Sequence, residues 1–164
     1  MASTAVKTVR DGQITLKDGT GTPVELVMNY EGEGNFTFAD DKSERLTLYQ
    51  RGTIVGCRKQ NDVVTTASFS INFKEFTDAS SGSAIDFIMK TGSYSGNIST
   101  GGAGFSDFYM IDIELRIEGT DHGDSGDHFA NLRKCICTYD FAEGFPDTVN
   151  FTIECYGGIQ RSQA

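Results

Sequence analysis

Alternation of apolar and polar residues over eight-residue stretches is the feature that most constrains how this chain folds. Three stretches follow it almost without interruption: "ASFSINFK" at 67–74, "IDIELRIE" at 111–118 and "VNFTIECY" at 149–156. A period of two is the pattern of a strand with one face in the core and the other in water. A fourth such strand is indicated at 132–141. The sequence therefore predicts an all-β domain built from antiparallel strands.

Shorter signals complete the predicted set of elements. Residues 13–17, 24–30 and 44–51 read as further strands, separated by the turn-rich segments "DGTGTP" and "EGEGN". One short helix is predicted over about 83–90, "SAIDFIMK", where Ser83 can cap the helix and Asp86 completes a capping box, with Gly92 after its end. The predicted fold class is an antiparallel β-sandwich or barrel with one flanking helix, forming a single domain over 1–164.

Composition restricts the function. The chain has 164 residues and a formal net charge of −9, which argues against wrapping nucleic acid or binding an anionic membrane surface. No apolar run approaches the roughly 20 residues that span a bilayer, and the first residues lack the apolar region of a secretory signal. A soluble protein without a membrane segment is expected.

Four cysteines raise the question of a zinc site. Cys135 and Cys137 are separated by one residue only, which is closer than the usual spacing of paired zinc ligands. On a strand these two side chains share a face with Tyr139 and Phe141, and Cys155 likewise continues an apolar face. Reduced thiols packed in the core are the expected outcome.

The loop "TDHGDSGDH" at 120–128 contains both histidines and three aspartates. Counted from Asp121, its positions do not match the acidic spacing of an EF-hand, and His122 and His128 lie on a segment without helical period. Gly, Ser and Asp between two strands favour a solvated turn joining 109–118 to 132–141. Neither a metal nor a cofactor is expected, and the chain shows no arrangement of nucleophile and base, so it is not expected to be an enzyme.

Three stretches carry a family resemblance: "VRDGQITLKDGTGTP" near the start, "SFSINFKEF" before the helix, and "YDFAEGFPDTVNFTIECYGG" near the end. Over about residues 9–158 the chain resembles bacteriophage tail tube proteins. The resemblance implies a homo-oligomer of six-membered rings, stacked head to tail into a hollow tube that conducts viral DNA without binding it specifically. It also implies a place in the virion tail, assembly in the host cytoplasm, and tail sheath, tape measure, and terminator or baseplate proteins as partners.

Two sets of residues are assigned to such an assembly. Carboxylates on polar strand faces are expected to line the channel and repel DNA: Asp112, Glu114, Glu118 and Glu154. The region 31–63 mixes charges of both signs and is expected to form a hairpin that reaches the next ring, through Asp40, Asp41, Lys42, Glu44, Arg45 and Arg51. An N-terminal arm is expected over about 1–10.

Two other classes of function remain open at this stage. A monomeric β-sandwich binding module, of the carbohydrate-binding or adhesin type, would share the fold. An enzyme would have to use the Asp/His loop. The state of association distinguishes a tube protein from these two classes, because only a tube protein forms rings.

Overall fold

The computed structural model describes residues 12–29, 35–40, 43–76, 82–120 and 123–164. The predicted N-terminal arm lies outside these ranges. Within them the chain forms ten strands, one α-helix and one short 3-10 helix. The strands are β1 Gly12–Lys17, β2 Glu25–Asn29, β3 Thr37–Ala39, β4 Arg45–Gln50, β5 Thr53–Lys59, β6 Thr65–Asn72, β7 Ile111–Ile117, β8 His128–Ala142, β9 Thr148–Cys155 and β10 Ile159–Gln163. The helices are α1 Ala84–Met89 and the 3-10 helix Gly92–Tyr94.

All strand pairs are antiparallel, so the predicted fold class is confirmed. Eight strands form one sheet with the order β2-β1-β7-β8-β9-β6-β3, and β10 pairs with β8 beside this path. Strands β4 and β5 pair only with each other and form a separate hairpin. The sequence pattern located the long alternating strands but not β3, β5 and β10, which are short or largely exposed.

The fifteen-residue strand β8 divides the large sheet into two wings. Its first part pairs with β10 and its second part with β9. Between the two, Lys134 adopts a positive φ of 54°, and the Gly157 amide donates to the Arg133 carbonyl at 2.8 Å. A Cβ on Gly157 would lie 2.7 Å from that carbonyl oxygen, so only glycine allows this contact.

Each wing is named by its strands. The first wing comprises β2, β1, β7, the first part of β8 and β10. The second wing comprises the second part of β8, β9, β6 and β3. Their inward side chains meet in one apolar cluster, to which the first wing contributes Leu16 and Ile113, and the second Phe69 and Phe151. The rings of Phe69 and Phe151 stack at 4.7 Å.

Three of the four cysteines behave as predicted for core residues, and the prediction is wrong for Cys57, which is exposed on β5. Cys135 and Cys155 are buried and face each other across β8 and β9. Cys137 packs against the same cluster, and burial raises its pKa to about 12. At neutral pH this side chain is therefore a protonated thiol.

The predicted capping box of helix α1 is present. The Asp86 amide donates to Ser83 Oγ at 3.1 Å, and the Ser83 amide donates to the Asp86 carboxylate at 3.4 Å. The helix ends differently from the prediction, because Lys90, with a φ of 55°, takes the left-handed position at its C-terminus and Gly92 begins the 3-10 helix. Phe87 anchors the helix in the core against Tyr94, 4.8 Å away. Neither helix in the described ranges has the length and apolar character to cross a bilayer.

We expect Phe151→Ala to lower the free energy of unfolding by about 3–5 kcal/mol, because it empties a fully buried site in the core cluster. Phe145→Ala is the matched control, because that ring is 107% exposed, and a change within about 0.5 kcal/mol is expected. Urea unfolding followed by circular dichroism measures both. Equal losses would contradict the assignment of the core.

Candidate functional site: assembly surfaces

The loop with the histidines is more ordered than the predicted solvated turn. Asp127 is only 7% exposed, and its carboxylate accepts bonds from the Gly119 amide at 3.1 Å, Arg116 Nε at 2.7 Å and Thr120 Oγ1 at 2.9 Å. These donors, the backbone amide of Gly119 first, hold the Asp127 pKa well below its usual range. The predicted solvated turn is therefore wrong for Asp127, whereas Gly123 and Ser125 of the same loop are exposed.

The same loop connects the body to the C-terminal residue. The Asp127 amide donates to the Ala164 carbonyl at 2.6 Å, and the Ala164 amide donates back to Asp127 at 3.0 Å. His128 opens β8, with Nε2 2.6 Å from Asp124 Oδ2. Asp121 and His122 lie outside the described residues. Among the residues that are described, no three His, Cys, Asp or Glu side chains are grouped as a metal site would need.

A second buried carboxylate, Asp18, likewise holds a loop in place through hydrogen bonds. It accepts bonds from the Val24 amide at 2.8 Å and the Ile98 amide at 3.1 Å, and so ties the turn after β1 to the loop after the 3-10 helix. Burial acts to raise the Asp18 pKa, but these donors and Thr20 outweigh it, and the pKa is lowered. Both buried carboxylates are occupied by structural bonds, which leaves them unsuited to acid–base chemistry.

Three of the four carboxylates expected to line a channel lie on the outer side of the first wing, here called the charged face. Each is paired with a cation of the same chain: Glu114 with Lys17 at 3.1 Å, Asp112 with Arg133 at 3.2 Å, and Glu118 with Arg116 at 3.1 Å. Lys17 and Arg116 are each shared with a second carboxylate, Glu25 and Asp127, so negative side chains outnumber positive ones in these ion pairs.

Lys17 lies at the centre of the charged face. It contacts Glu25 at 3.3 Å as well as Glu114. Partial burial acts to lower the Lys17 pKa, but the two ion pairs outweigh it and raise the pKa overall. The cations of this face are therefore ion-paired, which reduces the electric field that the face exerts on a passing ligand.

The fourth carboxylate, Glu154, lies on the outer side of the second wing, which has a different chemistry. Strand register places it in rows with hydroxyl and amide side chains, and we call this surface the hydroxyl face: Thr37, Thr66, Ser68, Ser70, Thr138, Asn150 and Thr152. Its two charged groups are Asp140 and Glu154, both exposed and neither ion-paired with a described residue. No Lys or Arg stands at the paired positions, so the charged side chains at these positions are all negative.

The hairpin of β4 and β5, here called the arm, projects from the body. Its two-residue loop, Arg51 and Gly52, has φ values of 49° and 82°, as a tight hairpin turn with the twist of the strands requires. Large apolar side chains along it are exposed to solvent, among them Tyr49 at 64% and Ile54 at 65%. Exposure of this kind, on a hairpin that pairs with no other described strand, makes the arm a candidate surface for a partner.

The charges of the arm differ from the mixed pattern predicted for 31–63. Arm residues 45–59 contain four basic side chains, Arg45, Arg51, Arg58 and Lys59, and no acidic one. The acidic residues predicted to act with them stand before the arm: Asp40 contacts Arg161 at 3.6 Å, and Glu44 accepts a bond from Asn61 at 3.4 Å. Asp41 and Lys42 lie outside the described residues. The arm is therefore basic and apolar.

Sequence reasoning missed a second exposed surface at the turn between β8 and β9. Phe73, Phe76 and Phe141 form a ring cluster with centroids 4.7–5.4 Å apart, and Phe145 at the turn is fully exposed. We call these four residues the aromatic tip. The segment "EGFPD" at 143–147 carried the signal, because a large aromatic side chain within turn-forming residues has no core to enter.

Comparison with known proteins identifies the fold. No protein-family model and no curated protein matches the sequence. Among solved structures, the chain is similar to one in the PVC sheath–tube complex of an extracellular contractile injection system in its extended state, with a TM-score of 0.59, 6% identity, and coverage of 98% of this chain and 94% of that one.

Two further structures have the same fold. One belongs to the tube-terminating cap of the anti-feeding prophage AFP, with a TM-score of 0.55, 10% identity, and coverage of 100% and 95%. The other belongs to the six-fold symmetrised AFP baseplate, with a TM-score of 0.54, 8% identity, and coverage of 99% and 98%. The predicted tail-tube-like fold is confirmed by these likenesses.

We expect Asp127→Asn to change how stability depends on pH. Because the pKa is lowered in the folded state, ionised Asp127 stabilises the fold above its unfolded pKa of about 3.9, and this contribution is lost as the pH falls through the folded pKa. The variant should be less stable than the parent at pH 7, and its urea midpoint should fall less steeply below about pH 4. Parallel curves for parent and variant would contradict the role of this carboxylate.

Proposed function

We propose that this chain is a structural subunit of the hollow tube of a tail or tail-like injection particle, acting as one domain and without catalysis. The supporting observation is the full-length likeness to chains of a sheath–tube complex, a tube-terminating cap and a baseplate. The six-fold symmetry of that baseplate supports rings of six copies. In a virion tail, such rings stack head to tail and the tube conducts viral DNA.

The arm is the proposed ring-stacking element. An isolated two-stranded hairpin with exposed apolar side chains is marginal in water and gains stability when a partner covers it. Arg45 and Arg51 lie on the arm, Asp40 and Glu44 lie at its base, and Asp41 and Lys42 belong to the same segment. A projecting element of this kind can reach from one ring to the next.

The hydroxyl face is the proposed channel wall. Its hydroxyl and amide groups are hydrated, and its charges, Asp140 and Glu154, are negative only. A polyanion such as DNA is repelled by such a wall and slides along it rather than binding. Asp112, Glu114 and Glu118 contribute less to this repulsion, because each forms an ion pair within its own chain.

A second candidate is a subunit that forms one terminating ring rather than a long tube. The likeness to the AFP cap favours it, with a TM-score of 0.55 against 0.59 for the sheath–tube chain. Sheath, tape measure, and terminator or baseplate proteins are the partners proposed for either role. Length distinguishes the two candidates, because a tube subunit elongates and a cap stops after one ring.

We expect the purified protein to form rings or tubes at high concentration, with an initiating baseplate complex added where one is needed. Light scattering coupled to size-exclusion chromatography measures the mass, and negative-stain microscopy shows the shape. Long tubes support the tube subunit, and single rings support the cap. A protein that stays monomeric with the initiator present is instead the binding module, and the proposal fails.

We expect Glu154→Lys to leave assembly intact but to make the particles retain DNA, because a cation on the wall binds phosphate. Retention should weaken steeply as salt is raised. Asp107→Lys is the matched control, since this exposed residue belongs to a turn outside the hydroxyl face. Co-sedimentation of labelled DNA with assembled particles measures the effect. If the control retains as much DNA as the Glu154→Lys variant, the hydroxyl face is not the wall.

A further inference from the structure

We propose that the arm of one copy docks on the aromatic tip of the next copy along the tube axis. This inference rests on the proposed function and adds to it the surface that receives the arm. It follows from three properties of the described residues: where the two surfaces lie, which apolar groups they expose, and which charges they carry.

Strand register places the arm and the aromatic tip at opposite ends of the second wing. The arm is joined to the start of β6, where Thr65 pairs with Cys155 at the end of β9. The tip lies at the other end, where Asn72 pairs with Thr148 and Phe73 donates its amide to the Asp147 carbonyl at 2.8 Å. The eight residues of β6 separate the two ends by about 25 Å.

Both legs of the arm leave the wing at the same end. Strand β3 runs antiparallel to β6, with Thr37 opposite Ser68 and Ala39 opposite Thr66, so its chain continues past the start of β6. The returning leg enters β6 at Thr65, and the legs are held together where the Gln60 amide donates to the Glu44 carbonyl at 2.9 Å. The arm is therefore attached at the end of the wing opposite to the aromatic tip of its own chain.

The apolar groups on the two surfaces suit each other. The arm exposes Leu46, Tyr49, Ile54 and Val55. The tip exposes the fully accessible ring of Phe145, with Phe76 and Phe141 about half exposed beside it. Aromatic side chains that enter an apolar partner surface are the type of contact that dominates the affinity of protein interfaces.

The charges on the two surfaces are opposite. The arm carries four cations and no carboxylate, although the remaining residues of the chain hold ten basic against 23 acidic side chains. Around the tip, residues 73–76 and 140–147 carry four carboxylates and one lysine: Glu75, Asp140, Glu143 and Asp147 against Lys74. An arm therefore repels another arm and attracts a tip, which selects head-to-tail contact over a symmetric dimer.

Contact between opposite ends of identical copies also has the correct symmetry for a stack. Such a heterologous interface leaves one free arm and one free tip after every addition, so growth continues along one axis. A contact confined to equivalent surfaces would instead close as a pair. The arm-to-tip contact thus accounts for elongation with a single pair of surfaces.

Charge reversal and rescue test this contact. The variant R51E/R58E places carboxylates on the arm, and E75K/E143K places cations at the tip, so each alone opposes like charges. Each is expected to raise the critical concentration for elongation about tenfold or more, with a larger effect at low salt. The combined variant R51E/R58E/E75K/E143K, which has the net charge of the parent, is expected to restore elongation.

A matched control separates rescue from the effect of net charge. The variant R51E/R58E/D107K/E154K also has the parent's net charge, but its new cations lie away from the tip, so elongation should remain impaired. If this control elongates as well as the combined variant, or if the arm variant elongates like the parent, the arm-to-tip contact is overturned. Unchanged far-UV circular dichroism checks that each variant is folded.

Cross-linking distinguishes failure of the docking from failure of the proposed function. Cys57 is an exposed thiol on the arm, and Glu143→Cys adds one at the tip. Mild oxidation should link copies through Cys57 and residue 143, whereas Asp107→Cys should give no such product. If cross-linked copies form but no rings or tubes are seen, the docking is supported and the tube proposal fails. If the parent forms tubes but the variant gives no cross-links, only the docking is overturned.

Discussion

The architecture depends on one interruption in its longest strand. A continuous β8 would pair with one neighbour along its whole length and produce a single twisted sheet with one face exposed to water. The break at Arg133 and Lys134 lets the first part of β8 pair with β10 and the second part with β9. The close approach of Gly157 to Arg133 requires a residue without a side chain. Two wings can then cover one core, and their outer faces acquire different environments.

Those two outer faces show why polarity alone does not define a surface. Both alternate in the same way with buried side chains, yet the charges of the charged face form ion pairs, whereas Asp140 and Glu154 on the hydroxyl face form no ion pair with a described residue. Exposed ion pairs contribute little to stability, but they do cancel the local field. The two faces therefore differ in the electrostatic potential that a passing solute experiences rather than in solubility.

The buried carboxylates explain how loops without regular structure hold a defined position. Asp18 and Asp127 each receive several donors from segments distant in sequence, and Asp127 also fixes the C-terminal residue through its backbone. Charged hydrogen bonds of this kind are stronger than neutral ones, and a buried carboxylate without them would be costly. These bonds hold the loops at the two ends of the first wing.

Local pattern by itself determined the elements that form the core. The period of two at 111–118 and 149–156 predicted strands with the observed inward faces, and Ser83 with Asp86 predicted the observed helix start. These features follow from the side-chain periodicity and capping bonds of adjacent residues.

Only the tertiary structure decided which polar groups meet. Asp112 finds Arg133 and Asp127 finds Arg116 through strand pairing, and the sequence therefore could not separate paired from unpaired carboxylates. The same holds for the apolar residues of the arm and for Phe73 and Phe141 of the tip, whose patterns resemble those of core strands. Their exposure follows from the place of each segment in the sheet, because an apolar side chain is buried only where another element packs against it.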